Sequence, residues 1–518
     1  MKPEHTKSKS KSTKMNRLLT ILFAWLLLIT SVFAQKNTGV WDVFAFGAKG
    51  DGKTMDTKAI QTAIDRCHGA GGGKVYLHNG TFLSGTIYLK SHVTLEVEAG
   101  ATLLGSDRAA DYPDQASEYP TYDEDPLTSK AFIYAENARN VTIEGRGTID
   151  GRGSEIDKRG LNDPYLRPSF KYRPRIIHLR GCENVHINHI TLQNSASWVQ
   201  TYQACKNLVI DGITVDSREN KDIEKPRETT ARHRNNDGLD LIDCELVRVS
   251  NCYINSGDDA ICIKSFSPDR ASRDITITNC VVSANASGIK IGTETAGRFE
   301  DITIQNCTVF DTRGEGIGIM TADGAQIERV NISNITLRNI KRVALFIRLN
   351  TRNKLYGKNK VINKPGLRDI VIENIQGTRI SSTGCSITGL ADYPLENLLL
   401  RNINLNFDGG ISETESTSPV PEKTDAYPVG TMFGPILPAY GFYVRHVKNI
   451  TFDQVQLRFA REDQRPAMVF DDADQVVIDH FTAQSSTKTP ALIRMVNTRN
   501  QLITNSRPST DIPVFVKN

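Results

Sequence analysis

The sequence has no CxxC pair and no Cys/His cluster at zinc spacing, which excludes a redox dithiol or structural zinc reading; no metal and no cofactor is expected. Its nine Cys (67, 182, 205, 244, 252, 262, 280, 307 and 385) are an odd number, so at least one thiol stays unpaired. Net charge is also scarce. The formal +4 comes from the first 34 residues, with six Lys/Arg and one acid; the rest carries 57 basic and 58 acidic side chains. A chain so nearly neutral has no general electrostatic hold on nucleic acid. Long apolar runs are missing after the N-terminus, so no membrane span is expected in the body of the chain. Low complexity is missing too: the chain is 39% hydrophobic and 24% charged, as in a folded protein.

The one extended apolar run, Leu18 to Phe33, follows a basic stretch ending at Arg17 and leads to Val32-Phe33-Ala34. Small residues three and one before Gln35 read as a cleavage site, so residues 1–34 are expected to be an export signal, with Met15 an alternative start. The mature protein is expected in the periplasm or outside the cell, as a monomer.

A chain of 518 residues is too long for one ordinary core. An internal repeat resolves this. One phrase, alternating polar and apolar and then reaching Asn or Gly, recurs as NVTIEG from 140, NVHINHITL from 184, NLVIDGITV from 207 and LVRVSNCYI from 246. It continues as DITITNCVV from 274, DITIQNCTV from 301, RVNISNITL from 329 and DIVIENI from 369, then NLLLRNINL from 397, NITFDQVQL from 449 and QVVIDHF from 475. Central steps are 27–28 residues, and longer steps imply inserted loops. Period-2 alternation means strands with one buried face, and a strand-only repeat in the twenties means a solenoid. The convex-helix pattern of leucine-rich repeats and the four-strand period of propeller blades are both absent. The expected fold is all-β: a right-handed parallel β-helix with a short N-terminal capping helix. Residues 35–105 are read as the cap and first coils, and 106–518 as the main solenoid with inserted loops. Cys252, Cys280 and Cys307, each after an Asn, are expected to stack as a buried ladder.

The cap is the segment Thr57 to Ile64, of helical apolar spacing, with Asp56 or Thr57 at its N-cap. Just before it, Gly47 to Thr54 fits GxxxxGK[ST]. No alternating βαβ units follow, so it is read as a turn rather than a phosphate cradle.

The chemistry is expected in two adjacent coils. Asn235-Asn236-Asp237-Gly238-Leu239-Asp240 and Ser256-Gly257-Asp258-Asp259-Ala260-Ile261-Cys262-Ile263-Lys264 lie one coil apart. Stacking brings Asp237, Asp258 and Asp259 together at a strand spacing of ~5 Å. Carboxylates so close cannot all ionise normally, which yields an acid beside bases, as glycoside hydrolysis requires. Asp240 is read as a turn residue.

These two motifs resemble the NTDGxD and GDD motifs of glycoside hydrolase family 28, the polygalacturonase-like pectin hydrolases. The likeness spans most of residues 40–480, including FGAKGDGKTMDTKAIQTAI at the start. It implies an acidic plant polysaccharide, pectin, as substrate. It also implies Asp258 as general acid, Asp237 and Asp259 as the groups that activate water, and inversion at the anomeric carbon. Two departures stand out. Ala286-Ser287-Gly288 replaces the family's GHG, and Gly318-Ile319-Met320 replaces the RIK that reads the substrate carboxylate. Substrate binding is therefore assigned to Lys290, Glu294, Asn235, Arg234 and Arg348. The Arg/Tyr-rich stretch from Arg152 to Arg175 joins them, and all suit an acidic sugar. The expected substrate is rhamnogalacturonan or decorated pectin rather than plain homogalacturonan. Insertions at 105–135, 152–175, 217–234 and 408–440 lean toward action from a chain end. A lyase on the same solenoid and a non-catalytic β-helix such as an adhesin are the alternatives.

Overall fold

The computed structural model describes residues 39–121, 130–156, 173–218, 221–225, 235–412, 419–508 and 515–517. The expected leader lies outside these residues, as do Lys158 to Tyr172 and Arg232 to Arg234. Each repeat phrase forms a strand whose apolar positions point inward. Val141, Val185, Leu208, Val247, Ile275, Ile302, Val330, Ile370, Leu398, Ile450 and Val476 pair in register from coil to coil. Every one of them is buried. Burying each such side chain contributes ~1.5–3 kcal/mol, and this file is one of several that run through the core. Named strands pair only in parallel, and the chain is a right-handed parallel β-helix of three sheets per coil.

Corners are made by residues in the left-handed backbone region, mostly Asn, which pays less for that conformation than other L-residues. Asn184, Asn207, Asn251, Asn279, Asn306, Asn334, Asn374 and Asn402 all adopt it. Their side chains then bond from coil to coil: Asn184 to Asn140, Asn207 to Asn184, Asn334 to Asn306, Asn374 to Asn334 and Asn402 to Asn374, at 2.7–3.0 Å. The chain separations of these rungs, 44, 23, 28, 40 and 28, reproduce the sequence repeat, insertions included.

All nine Cys are buried and free. Cys252, Cys280 and Cys307 stack as expected, thiol to thiol. Cys182, Cys205 and Cys244 form a second ladder that uneven insertions hide in the sequence.

The helix Thr57–Gly69 buries Ala59, Ile60, Ala63, Ile64 and Cys67 against the first coil. Asp56 holds the N-cap position but makes no side-chain bond to the helix. Its carboxylate instead accepts from Lys49 N (2.7 Å) and Gly50 N (3.0 Å), while Asp51 accepts from Lys53 N and Thr54 N. Amides that would cradle a phosphate are thus already taken by carboxylates, and the P-loop look-alike is a short loop, Gly47 to Gly50, running into the strand Asp51–Met55 rather than a turn throughout. Asp56→Ala removes the acceptor of two part-buried amides, so the urea midpoint should fall by an amount worth about 1 kcal/mol. An unchanged midpoint would show that the loop holds itself.

Candidate active site

One of the three strand columns carries the site. Strands Leu239–Ile242, Ile261–Ser265 and Ile289–Thr295 stack in register, with Asp240 opposite Cys262 and Cys262 opposite Lys290. Just before these strands, Gly238 N donates to Asp259 O and Ala260 N to Ser287 O, both at 2.9 Å. One column on the rim therefore runs Asp237, Asp259, Ser287. The neighbouring position holds Asp258, whose carbonyl accepts from Ala286 N. The sequence motifs do converge: the structure brings Asp237, Asp258 and Asp259 to one rim.

Each carboxyl is held differently. Asp237 Oδ2 accepts from Lys264 Nζ at 3.0 Å. Asp259 is gripped at both oxygens, by Ser287 N (2.7 Å) and Lys290 Nζ (2.9 Å). Asp258 Oδ2 accepts from Asn235 N at 3.1 Å, where Asn235 takes a positive φ of 56° to present that amide. Asp237 and Asp259 are buried, whereas Asp258 is partly open to solvent. It is thus the carboxyl best placed to meet a bound ligand.

These settings separate the acidities. Burial, reinforced by the negative Asp240, Asp258 and Asp259, pushes the Asp237 carboxyl well above its ordinary value despite Lys264. Burial also acts upward on Asp259, but Lys290, Lys264 and the Ser287 amide outweigh it and hold this group at about 2. One carboxyl thus favours its proton while its neighbour keeps its charge. The cluster thus holds a proton and a charge side by side, both buried, with Asp258 at its open edge.

Lys264 is the hub. Its ammonium lies 3.0 Å from Asp237, 2.8 Å from Asp240 and 3.6 Å from Glu294. The Trp198 ring centroid is 3.7 Å away and also 4.4 Å from the Arg175 guanidinium carbon. Burial alone would strip its proton, but Asp237 and Asp240 keep it charged. Asp237, Asp240 and Cys262 are near enough to converge on one cation, and the Lys264 ammonium already supplies it. Asp240 is therefore no turn residue: it lies in a strand, fully buried, as the second counter-ion of Lys264. Lys264, Trp198 and Asp240 are the residues that sequence reasoning passed over. The signal was present, because Lys264 ends a period-2 run that points it to the same face as Cys262 and Asp240.

The expected binding residues are dispersed. Lys290 and Glu294 share the site's third strand, and Asn235 borders Asp258. Arg234 lies outside the described residues. Arg348 is buried two coils on, donating to Asn350 Oδ1 and to the carbonyls of Gly389 and Glu422 at 2.6–2.8 Å; burial pushes it down to about 10. It braces loops there rather than facing the carboxyl cluster. Arg152 pairs with Glu155 at 2.6 Å, and Arg173 and Arg175 are buried.

The model for glycosyl hydrolases family 28 matches residues 72–425. A probable polygalacturonase of Vitis vinifera is 27% identical over 389 residues, covering 70% of this chain and 73% of that protein. An endo-polygalacturonase of Pectobacterium carotovorum subsp. carotovorum is 26% identical over 63% of this chain and 78% of its own. Among solved structures, the exopolygalacturonase of Thermotoga maritima superposes with a TM-score of 0.57 at 21% identity, covering 71% of this chain and 87% of that one.

Removing the hub should be costly. Lys264→Met leaves the buried Asp240 carboxylate without its cation and Asp237 without its donor, so we expect a loss of about 3–5 kcal/mol in stability at pH 7 and no measurable turnover. The loss should shrink at low pH, where Asp240 takes up a proton as well. The depressed Asp259 has the opposite sense to Asp237: its stabilisation is complete above pH 4 and disappears as pH falls toward 2. In Asp259→Asn, acid unfolding over that window should be shallower, as read by circular dichroism.

Proposed function

The chain belongs to glycosyl hydrolases family 28, and from that footing we propose that it is an exported enzyme cleaving galacturonate-containing pectin by acid/base hydrolysis with inversion. The observation that carries this reading is the convergence of Asp237, Asp258 and Asp259, with only Asp258 open. In this reading Asp258 protonates the leaving oxygen as the glycosidic bond breaks. Asp259, fixed as a carboxylate, takes a proton from the attacking water, and Asp237 orients that water behind it. The alternative of a non-catalytic β-helix gives no reason for three carboxyls to gather around two buried lysines. Among the described residues, no helix is long and apolar enough to cross a membrane.

For substrate choice we propose rhamnogalacturonan-type or otherwise substituted pectin. Gly318 and Met320 stand where the expected carboxylate-reading cations would be, and Gly318 lies opposite Lys290. Lys290 spends one of its three N–H donors on Asp259 and has donors left for a substrate carboxylate. Arg234, adjacent in sequence to Asn235, is the second candidate. Each long insertion leads in sequence into a strand stacked in the same column as the site strands. Residues 419–437 cover that column immediately beyond the site, through Phe433 and Leu437 packed on Met320, Val343, Phe346 and Tyr443. This favours release from a chain end.

Asp258→Asn should fold normally and lose several orders of magnitude in kcat on pectic substrate, with no further loss when Asp237 or Asp259 is also changed. An aryl galacturonide with a highly acidic leaving group should restore much of the Asp258→Asn rate but not that of Asp259→Asn, because such a group leaves without protonation. Equal rescue of both would reverse the roles assigned. On a panel of pectic fractions, reducing ends should appear faster from rhamnogalacturonan-type or substituted material than from homogalacturonan. Lys290→Ala and Arg234→Ala should lose more on acidic than on carboxyl-reduced substrate. Faster cleavage of plain polygalacturonate would defeat the substrate claim.

A further inference from the structure

Beyond the three carboxyls, one buried acid is used by none of the chemistry described so far. Glu315 begins the strand Glu315–Thr321, one coil past Ser287, and is almost fully enclosed. Both of its oxygens are engaged. Oε2 accepts from Ser287 Oγ at 2.8 Å, and Oε1 accepts from Gly430 N at 2.6 Å, with Arg342 Nη1 at 3.4 Å. Ser287 is the residue whose own amide holds Asp259. A continuous chain of contacts therefore joins the inserted segment 419–437 to the charged carboxylate of the site: Gly430, Glu315, Ser287, Asp259.

The same segment returns to the site by a second route. Tyr427, three residues before Gly430, is half exposed. Its hydroxyl accepts from Thr293 Oγ1 at 2.9 Å, in the strand that carries Lys290. Lys290 Nζ lies 5.9 Å and the Arg352 guanidinium carbon 5.5 Å from the ring centroid. The ring is thus anchored at its hydroxyl, flanked by two cations, and open to solvent beside the strand that grips Asp259. Gly430 fits without tolerance: a Cβ there would stand 2.7 Å from Glu315 Oε1 and 2.7 Å from Val343 Cγ2.

We propose that Glu315 is a positioning residue that ties segment 419–437 to Asp259, and that Tyr427 on this segment contacts the substrate, stacking on a uronate ring at the closed end of the site. The stacking half rests on the pectin-hydrolase reading; the tie between segment and carboxylate does not. An anchored, half-exposed aromatic ring beside cations suits a sugar with an apolar face and an anionic edge. Seating the segment and aiming the Ser287 amide then become one event, so that a site with its end wall out of place also has a misaligned base.

The test has two arms. The first needs no substrate. In Glu315→Ala, hydrogen exchange at the Gly430 amide and its neighbours should speed up at least roughly tenfold, while the coils between 139 and 250 exchange as in the parent. Glu315→Gln, which still offers Oε1, should largely restore protection. Unchanged exchange in Glu315→Ala overturns the tie, whatever the enzyme hydrolyses. The second arm uses acidic pectic oligomers that the parent cleaves. Ser287→Ala and Glu315→Ala should move the acid limb of kcat to higher pH, since the Asp259 carboxylate loses part of its hold. A merely structural role would lower the melting temperature and leave that limb in place. Tyr427→Ala should raise KM about tenfold, or about 1.4 kcal/mol, with kcat little changed, and Tyr427→Phe, which keeps the ring but loses the Thr293 anchor, should fall between it and the parent. An unchanged KM in Tyr427→Ala overturns the stacking role. A parent that cleaves no acidic oligomer overturns it too, together with the functional reading, and leaves the exchange result to decide the tie.

Discussion

A single buried ammonium governs the arrangement of this site. Lys264 sits among Asp237, Asp240 and Glu294 with an indole ring close beside it, and a charge so enclosed is stable only because those carboxyls surround it. The arrangement has a second consequence. One cation between several acids cannot satisfy all of them, so a proton is retained in the cluster, and burial assigns it to Asp237. Lys290 settles the other half by holding Asp259 ionised. Two lysines on adjacent strands of one sheet thus decide which acid carries a proton and which a charge. A more exposed version of the same cluster would leave all the acids ionised in water.

The solenoid makes that precision possible. Register between coils is fixed by files of buried aliphatic side chains and by corner Asn residues that bond to the corner above and below. A one-residue slip would turn every file outward. The site inherits the register of the whole stack, so groups 23 to 31 residues apart in sequence meet at hydrogen-bond distance. Insertions are tolerated because they leave at corners, and segment 419–437 packs beside the site strands without disturbing the core.

What could be read from the sequence follows from the same physics. Alternation and the recurring Asn report local requirements of each coil, so the strands, the corners and the capping helix were all visible. The convergence of Asp237 with Asp258 and Asp259 was visible too, because the coil between them carries no insertion. Asp240 was misread because Asp is common at turns, and only its burial against Lys264 shows otherwise. The second Cys ladder was hidden by uneven steps of 23 and 39 residues between its members. Glu315 and Tyr427 were out of reach for a different reason. Their meaning depends on where the inserted segment 419–437 settles, and no periodicity governs an insertion.

The most direct measurement of the central claim is proton NMR of the first turnovers on a defined pectic oligomer. The anomeric signal should appear first in the configuration opposite to that of the cleaved bond and then equilibrate, with no unsaturated product. An initial product of retained configuration would contradict the account, because it would make one of the three aspartates a nucleophile. An olefinic signal would contradict hydrolysis itself.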